Sequence, residues 1–158
     1  MRLDRLDVQT GASVEFREIT AQIEQHVRAS EVTEGLCYIF SPHTTAGLTI
    51  NENADPDVRR DMIHALDRAV PLRDPAYRHA EGNSAAHVKA SMMGFSAVVP
   101  VMDGRLVLGT WQGIYLCEFD GSRDLEDVQE FTTAFVSYGA YCLCASKEPK
   151  PPGFNQGV

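Results

Sequence analysis

Between Ser41 and Pro71 the chain passes from a period-two pattern to a helical one with almost nothing in between. In Gly47-Leu48-Thr49-Ile50-Asn51-Glu52, Leu48 and Ile50 alternate with Thr49 and Asn51. A strand there turns the two apolar side chains to one face and the two polar ones to the other. Three residues later Asp55 can cap a helix, Pro56 suits its first position, and Asp57 complements the positive end of its dipole. Val58, Met62, Leu66 and Ala69 form the expected inward stripe, and Pro71 ends it. A strand feeding directly into a capped helix calls for helices layered on a sheet.

The rest of the chain extends that pattern. Val14 and Phe16 alternate with polar neighbours as an early strand, and Ile19, Ile23 and Val27 then share one helical face, with Thr20 as the expected cap. Cys37 to Phe40 reads as a short buried strand, and residues 71–79 read as a loop. A third helix is expected from Ser84 to Met93, capped by Asn83 and stopped by Gly94. Phe95 to Val101, Leu106 to Leu108 and Gly113 to Phe119 read as strands, the first two joined through an Asp103-Gly104 turn. Residues 125–138 fit helical spacing, whereas 134–145 also fit an apolar strand. The sum is an α+β chain: a mostly antiparallel, sandwich-like sheet of about seven strands with about three helices. A single domain over residues 1–146 is expected, followed by an irregular tail at 147–158 rich in Pro and Gly.

Composition narrows the function. Fourteen basic and 22 acidic residues give a net charge of −8 over 158 residues, which argues against nucleic acid or an anionic membrane as partner. A small anion needs only a few local donors and stays allowed. No apolar run is long enough to span a bilayer, and residues 1–7 lack the core of a signal peptide. Cys37, Cys117, Cys142 and Cys144 read as reduced, mostly buried thiols of a cytoplasmic protein.

Three histidines at element ends, His43, His79 and His87, form the sharpest constellation. Neutral imidazoles with an open fourth position are a known catalytic metal arrangement, although the spacing matches no standard local motif. Asn83 and His87, four apart, lie on one helix face, so His87 sits one turn inside a helix start, a natural anion site to which Ser84 can add a hydroxyl. Plain capping by Asn83 explains that residue equally well. Asn51 and Glu52 close a strand after the threonine-rich segment, and Thr44 begins it. Glu52 or Asp57 can serve as a general base or orient a histidine. Trp111 and Gln112, between Gly109 and Gly113, can stack on and hydrogen-bond to a flat heterocycle, or else form a bulge with a core tryptophan. The planar fork of Arg123 can clamp a phosphate, or pair with Asp120 at the surface.

Taken together, His43-Thr44-Thr45-Ala46-Gly47, Ile50-Asn51-Glu52-Asn53, Asp57, His79, Glu81-Gly82-Asn83, Ala86 to Ser91, Leu108 to Gln112 and Glu118-Phe119-Asp120-Gly121 resemble the YjbQ-like proteins, also called the secondary thiamine-phosphate synthase family. The resemblance covers about residues 10 to 123. It implies an α+β sandwich-like fold, a homotrimer with sites near subunit boundaries, and a weak ability to join a pyrimidine pyrophosphate to a thiazole phosphate. The family's polar cluster falls on His43, Thr44, Asn51, Glu52, Asp57, His79, Asn83 and His87. The chain departs from the family pattern at Ser122, where proline is usual, and at Asp124-Leu125-Glu126-Asp127, where a second basic residue and a short last strand are expected.

Three functions compete. The first is a transferase acting on phosphorylated heterocycles, with the histidines holding a metal or the departing pyrophosphate. The second is a metal-assisted hydrolase with His43, His79 and His87 as ligands and Glu52 as base. The third is a non-catalytic module that binds an anion or nucleotide. The expected cofactor is a divalent metal, zinc or magnesium, with no organic cofactor, and the expected partners are a small phosphorylated substrate and the chain itself.

Overall fold

Apolar side chains that alternate along short strands are buried only if a second layer covers them, and here two sheets cover each other. The computed structural model describes residues 2–121 and 139–146, with side chains for 5–121. Its strands are β1 (Arg2–Asp7), β2 (Glu15–Glu18), β3 (Glu34–Phe40), β4 (Ala46–Glu52), β5 (Ser96–Met102), β6 (Arg105–Leu106), β7 (Gln112–Glu118) and β8 (Gly139–Ser146). The helices are α1 (Thr20–Ala29), α2 (Pro56–Ala69) and α3 (Ser84–Met93). One sheet has the order β1-β8-β3-β5-β6 and the other β2-β7-β4. The strand pairs in both are antiparallel. The fold is therefore α+β, with seven strands of four residues or more and the two-residue β6.

The main core lies between the sheets. Cys37, Ile39, Val99 and Val101 of the larger sheet meet Ala46, Leu48, Ile114 and Leu116 of the smaller one, and Ile19, Ile23 and Val27 of α1 complete it. A second core lies on the other face of the smaller sheet. There Phe16, Tyr115, Cys117 and Phe119 pack against Leu66 of α2 and Ala86 and Ala90 of α3. Burial pushes the Cys117 thiol and the Tyr115 phenol up from their ordinary values.

Of the first two helix starts, that of α2 is as expected and that of α1 is not. Asp55 caps α2 as its sequence predicts, accepting a hydrogen bond from the Asp57 N–H at 2.8 Å. Thr20 does not cap α1. The capping position is Ile19, the Glu18 carboxylate accepts from the Thr20 N–H at 2.9 Å, and the Thr20 hydroxyl accepts from Ile114 N–H of β7 at 2.8 Å. A tertiary partner has taken the hydroxyl that local geometry would have used. The inward stripe of α2 also shifts. Ala69 is exposed, and Val70, just past the helix, is buried in its place. The turn from β5 to β6 has Asp103 at φ 51° and Gly104 at φ 72°, the two positive angles a type I′ hairpin requires. Beyond it only Arg105 and Leu106 are strand, although Val107 N–H still bonds the Pro100 carbonyl at 2.8 Å.

The end of the chain resolves an ambiguity. Residues 139–146 form β8, which lies between β1 and β3 with Leu3 and Tyr38 both opposite Leu143. The helical spacing over 125–138, Arg123 and the tail at 147–158 lie outside the described residues.

Gly47 is where α3 meets β4. A Cβ there would lie 2.8 Å from both the Gly94 carbonyl oxygen and Met93 Cβ, and 3.0 Å from the Ala90 carbonyl oxygen. Backbone oxygens cannot move aside as a flexible side chain would. Gly47→Ala is therefore expected to lower stability by about 1–3 kcal/mol, measured by denaturant unfolding. An unchanged midpoint would show that α3 does not press on β4.

Candidate functional site

The start of α3 gathers the strongest cluster. His79 comes from the loop before the helix and His87 from its first full turn, and their rings meet edge to face with centroids 5.2 Å apart. His79 Nε2 lies 3.7 Å from the Glu81 carboxylate. Ala85, Ala86 and Ala90 face the core, which leaves His87 on the outer side of the same helix. Ser84 is the first helical residue and is half-buried.

Asn83 stands at the capping position, but its side chain makes no capping hydrogen bond. Its Nδ2 instead donates to Asp120 Oδ2 at 2.7 Å, 37 residues away, and lies 3.4 Å from Glu81 Oε2. Its Oδ1 is buried and accepts no hydrogen bond from the described residues. Local capping has yielded to a carboxylate brought in by the fold, a stronger acceptor for an amide N–H.

His43 and Thr44 lie in the loop between β3 and β4, at the same end of the smaller sheet as Asp120. Thr45 carbonyl accepts from Phe119 N–H at 3.2 Å, and Ser41 N–H bonds the carbonyl of Phe95, just past α3. His43 Nε2 is sealed from solvent, whereas Thr44 is exposed.

The other predicted residues lie at the far end. Ala46 of β4 opposes Glu118 of β7, and Glu52 opposes Gln112. Six residues of strand separate those pairs, or about 20 Å. Asn51 is spent locally: its Oδ1 accepts from Glu52 N–H at 2.7 Å, and its Nδ2 rests on Met62 sulfur at 3.0 Å. Asp57 is exposed and lies 3.3 Å from Arg60. Gln112 Oε1 accepts from Gly109 N–H at 2.8 Å and closes its own loop. Trp111 is not a core tryptophan; it is 63% exposed, and its backbone carbonyl accepts from Asn53 N–H at 2.9 Å. One chain thus brings His79, His87, Asn83 and Ser84 together and holds Asn51, Glu52, Asp57, Trp111 and Gln112 apart from them.

Glu118, Asp120 and Lys89 fall in motifs that the sequence reading quoted, but none was assigned a role in the site. Glu118 is 1% exposed, and its Oε1 accepts from the N–H groups of Phe119 at 3.0 Å and Asp120 at 2.9 Å. A carboxylate ending an apolar strand was the available signal. Lys89 is 2% exposed and bonds Asp67, tying α3 to α2 beneath the histidine pair.

Among the described residues, no group of three or more His, Cys, Asp or Glu side chains is placed to hold a metal ion. The His79 and His87 rings are spaced as a pair of ligands would be. Two imidazoles bound through nitrogen to one tetrahedral zinc, with Zn–N bonds of about 2.0–2.1 Å, have centroids about 5 Å apart.

The model of the family described as UPF0047 protein YjbQ-like matches residues 4–136. The chain belongs to that family. YugU of Bacillus subtilis is 50% identical over 121 residues, which span 77% of this chain and 92% of YugU. A crystal structure of an uncharacterised YjbQ/UPF0047 protein from Clostridium acetobutylicum, 42% identical, superposes with a TM-score of 0.77 over 92% of this chain and all of that one. A hypothetical protein of Aeropyrum pernix K1, 28% identical, gives 0.80 over 93% of this chain and all of that one. The YjbQ-like motifs His43 to Gly47, Glu81 to Asn83 and Glu118 to Gly121 thus converge on one end of the smaller sheet. No helix among the described residues is long and apolar enough to cross a membrane.

Proposed function

We propose that this YjbQ-like protein binds a phosphorylated small molecule at the start of α3 and acts as a transferase of the thiamine-phosphate synthase type. In that reaction a pyrimidine pyrophosphate is joined to a thiazole phosphate and pyrophosphate leaves. The edge-to-face pair of His79 and His87 at a helix start carries this reading. Imidazole and helix N–H groups are the donors a departing pyrophosphate needs, and donors fixed in advance contribute most where charge develops. The test is pyrophosphate release by the purified protein given both substrates; release no faster than without protein would contradict the reading.

Metal-assisted hydrolysis is the second reading, favoured by the 5.2 Å ring separation. A divalent ion, zinc or magnesium, would activate water there, held by His79 and His87 alone, because the expected set of His43, His79 and His87 does not form a three-ligand group. Glu52, about 20 Å away along β4, would serve as base only from a neighbouring subunit. Non-catalytic anion binding is what remains if neither reaction occurs.

In this reading the chain assembles as a homotrimer with the site near a subunit boundary, as its resemblance to the YjbQ-like proteins implies. The outer face of the larger sheet supports assembly. Leu36 is 52%, Val98 51% and Met102 60% exposed, with Tyr38 and Phe40 beside them. Tyr38 opposes Val98, and Leu36 opposes Pro100, so the apolar side chains form one continuous surface. Such a patch on a soluble chain marks an interface. A cytoplasmic location accords with burial of Cys37 and Cys117.

A further inference from the structure

We infer that the cleft between β2, α1 and the Arg59 side chain of α2 binds a zwitterion of the α-amino acid class, with its carboxylate on Arg59 and its ammonium group on Glu18. The cleft has a volume of about 300 Å³. That is the small end of the range for small-molecule sites, so it suits a compact ligand. Its lining is drawn from the β2–α1 segment and from Arg59, away from α3, and the inference does not depend on the phosphate reading. β2 is the edge strand of the smaller sheet, so the sheet leaves the cleft open on that side.

Two charges of opposite sign border one ring there. Tyr115 is 1% exposed, and its hydroxyl donates to the Glu52 carbonyl at 3.0 Å, so the ring is fixed. Arg59 Cζ stands over that ring, 5.9 Å from its centroid. A guanidinium over an aromatic face is oriented by it and keeps N–H groups for a planar acceptor with two oxygens, such as a carboxylate. Glu18 is the residue opposite Tyr115 in the pairing of β2 with β7. Directly opposed residues hold their Cβ atoms about 4.5–5.5 Å apart. Glu18 Oε1 accepts from the Thr20 N–H at 2.9 Å, which orients the carboxylate and leaves it acceptor sites to spare. Both Glu18 and Arg59 are half-buried and within reach of solvent. Burial raises the pKa of the Tyr115 phenol, Arg59 lowers it and Glu18 raises it, as two charges beside one ring should.

The other charges of the cleft select the class of ligand. Glu15 accepts from the Gly11 N–H at 2.7 Å and lies 3.5 Å from Arg17, so these two side chains are engaged with local partners. A plain anion entering the cleft meets two glutamates, and a plain cation meets two arginines. A zwitterion with its charges close together meets a partner for each, and an α-amino acid has that spacing.

Calorimetric titration of the full chain with each of the common L-amino acids in turn tests this. At least one is expected to bind saturably with a Kd of about 1 mM or tighter. N-acetylation or methyl esterification of that amino acid should each weaken binding at least about tenfold, because each removes one of the two charges. Arg59→Gln and Glu18→Gln should weaken it as much, and the glutamine amide keeps an acceptor for the Thr20 N–H. Saturable binding of none of these amino acids would overturn the inference. Equal binding of the acetylated or esterified form, or full affinity in Arg59→Gln, would overturn it too. If Glu18→Gln fails to fold, the acetylated ligand decides that contact alone.

Discussion

Replacing His87 by alanine is expected to lower pyrophosphate release by at least about 100-fold, the usual scale for loss of a proton-transferring or charge-stabilising group. The fold should survive, because α3 is anchored by Ala85, Ala86, Ala90 and Lys89 on its inner side, not by the imidazole. Far-UV circular dichroism of the variant should match the wild type. His79→Ala should show a smaller loss, since His79 is 43% exposed and keeps Glu81 as a partner at 3.7 Å. A His87→Ala protein that turns over at the wild-type rate would remove the histidine pair from the chemistry.

The second large effect concerns assembly. Leu36→Glu together with Tyr38→Glu puts two charges into the continuous apolar face of the larger sheet, neither needed by the main core. Light scattering of the wild type should give about three times the 17.4 kDa chain mass, and the double variant should run as one chain. Charge buried in an interface without a partner is costly enough to dissociate it. On the hydrolase reading activity should disappear with the trimer, because Glu52 lies about 20 Å along β4 from the end near the histidine pair and only a neighbour would bring the two together. A wild-type monomer would mean that the chain itself, not a second copy, covers that face. An active double-variant monomer would place the whole reaction at the start of α3.

Much of the fold was legible because its signals are local. The Asp55-Pro56-Asp57 start of α2, the face formed by Ile19, Ile23 and Val27, and the Asp103-Gly104 turn depend on neighbours a few residues away. What was missed depends on partners distant in sequence. β1 is a strand because it lies against β8, yet its leucines recur three apart and show no alternation. β8 is ambiguous by itself and is a strand because β1 and β3 flank it. The hydroxyl of Thr20 and the amide of Asn83 both leave their helix ends for partners on or just beyond β7.

The site was legible in the same proportion. His43, His79 and His87 were grouped as one cluster from their setting at element ends; the rings of His79 and His87 meet, and the three form no metal-holding group. Glu52 and Trp111 were grouped with them because they are near His43 in sequence or share the family's motifs. A strand is a straight rod, however, and six residues of it carry Glu52 about 20 Å away. Glu118 and Asp120 were quoted as part of a motif but given no place in the site, because two carboxylates after an apolar run look like a turn and only the fold brings Asp120 to Asn83.

Titration with inorganic phosphate, followed through the ¹⁵N-labelled imidazole signals of all five histidines, tests the central claim most directly. The account predicts saturable shifts at His79 and His87 with one midpoint, and stationary signals for His26 and His64, which lie on α1 and α2. Shifts confined to His26 or His64, or no saturable shift at His87, would contradict a phosphate site at the start of α3.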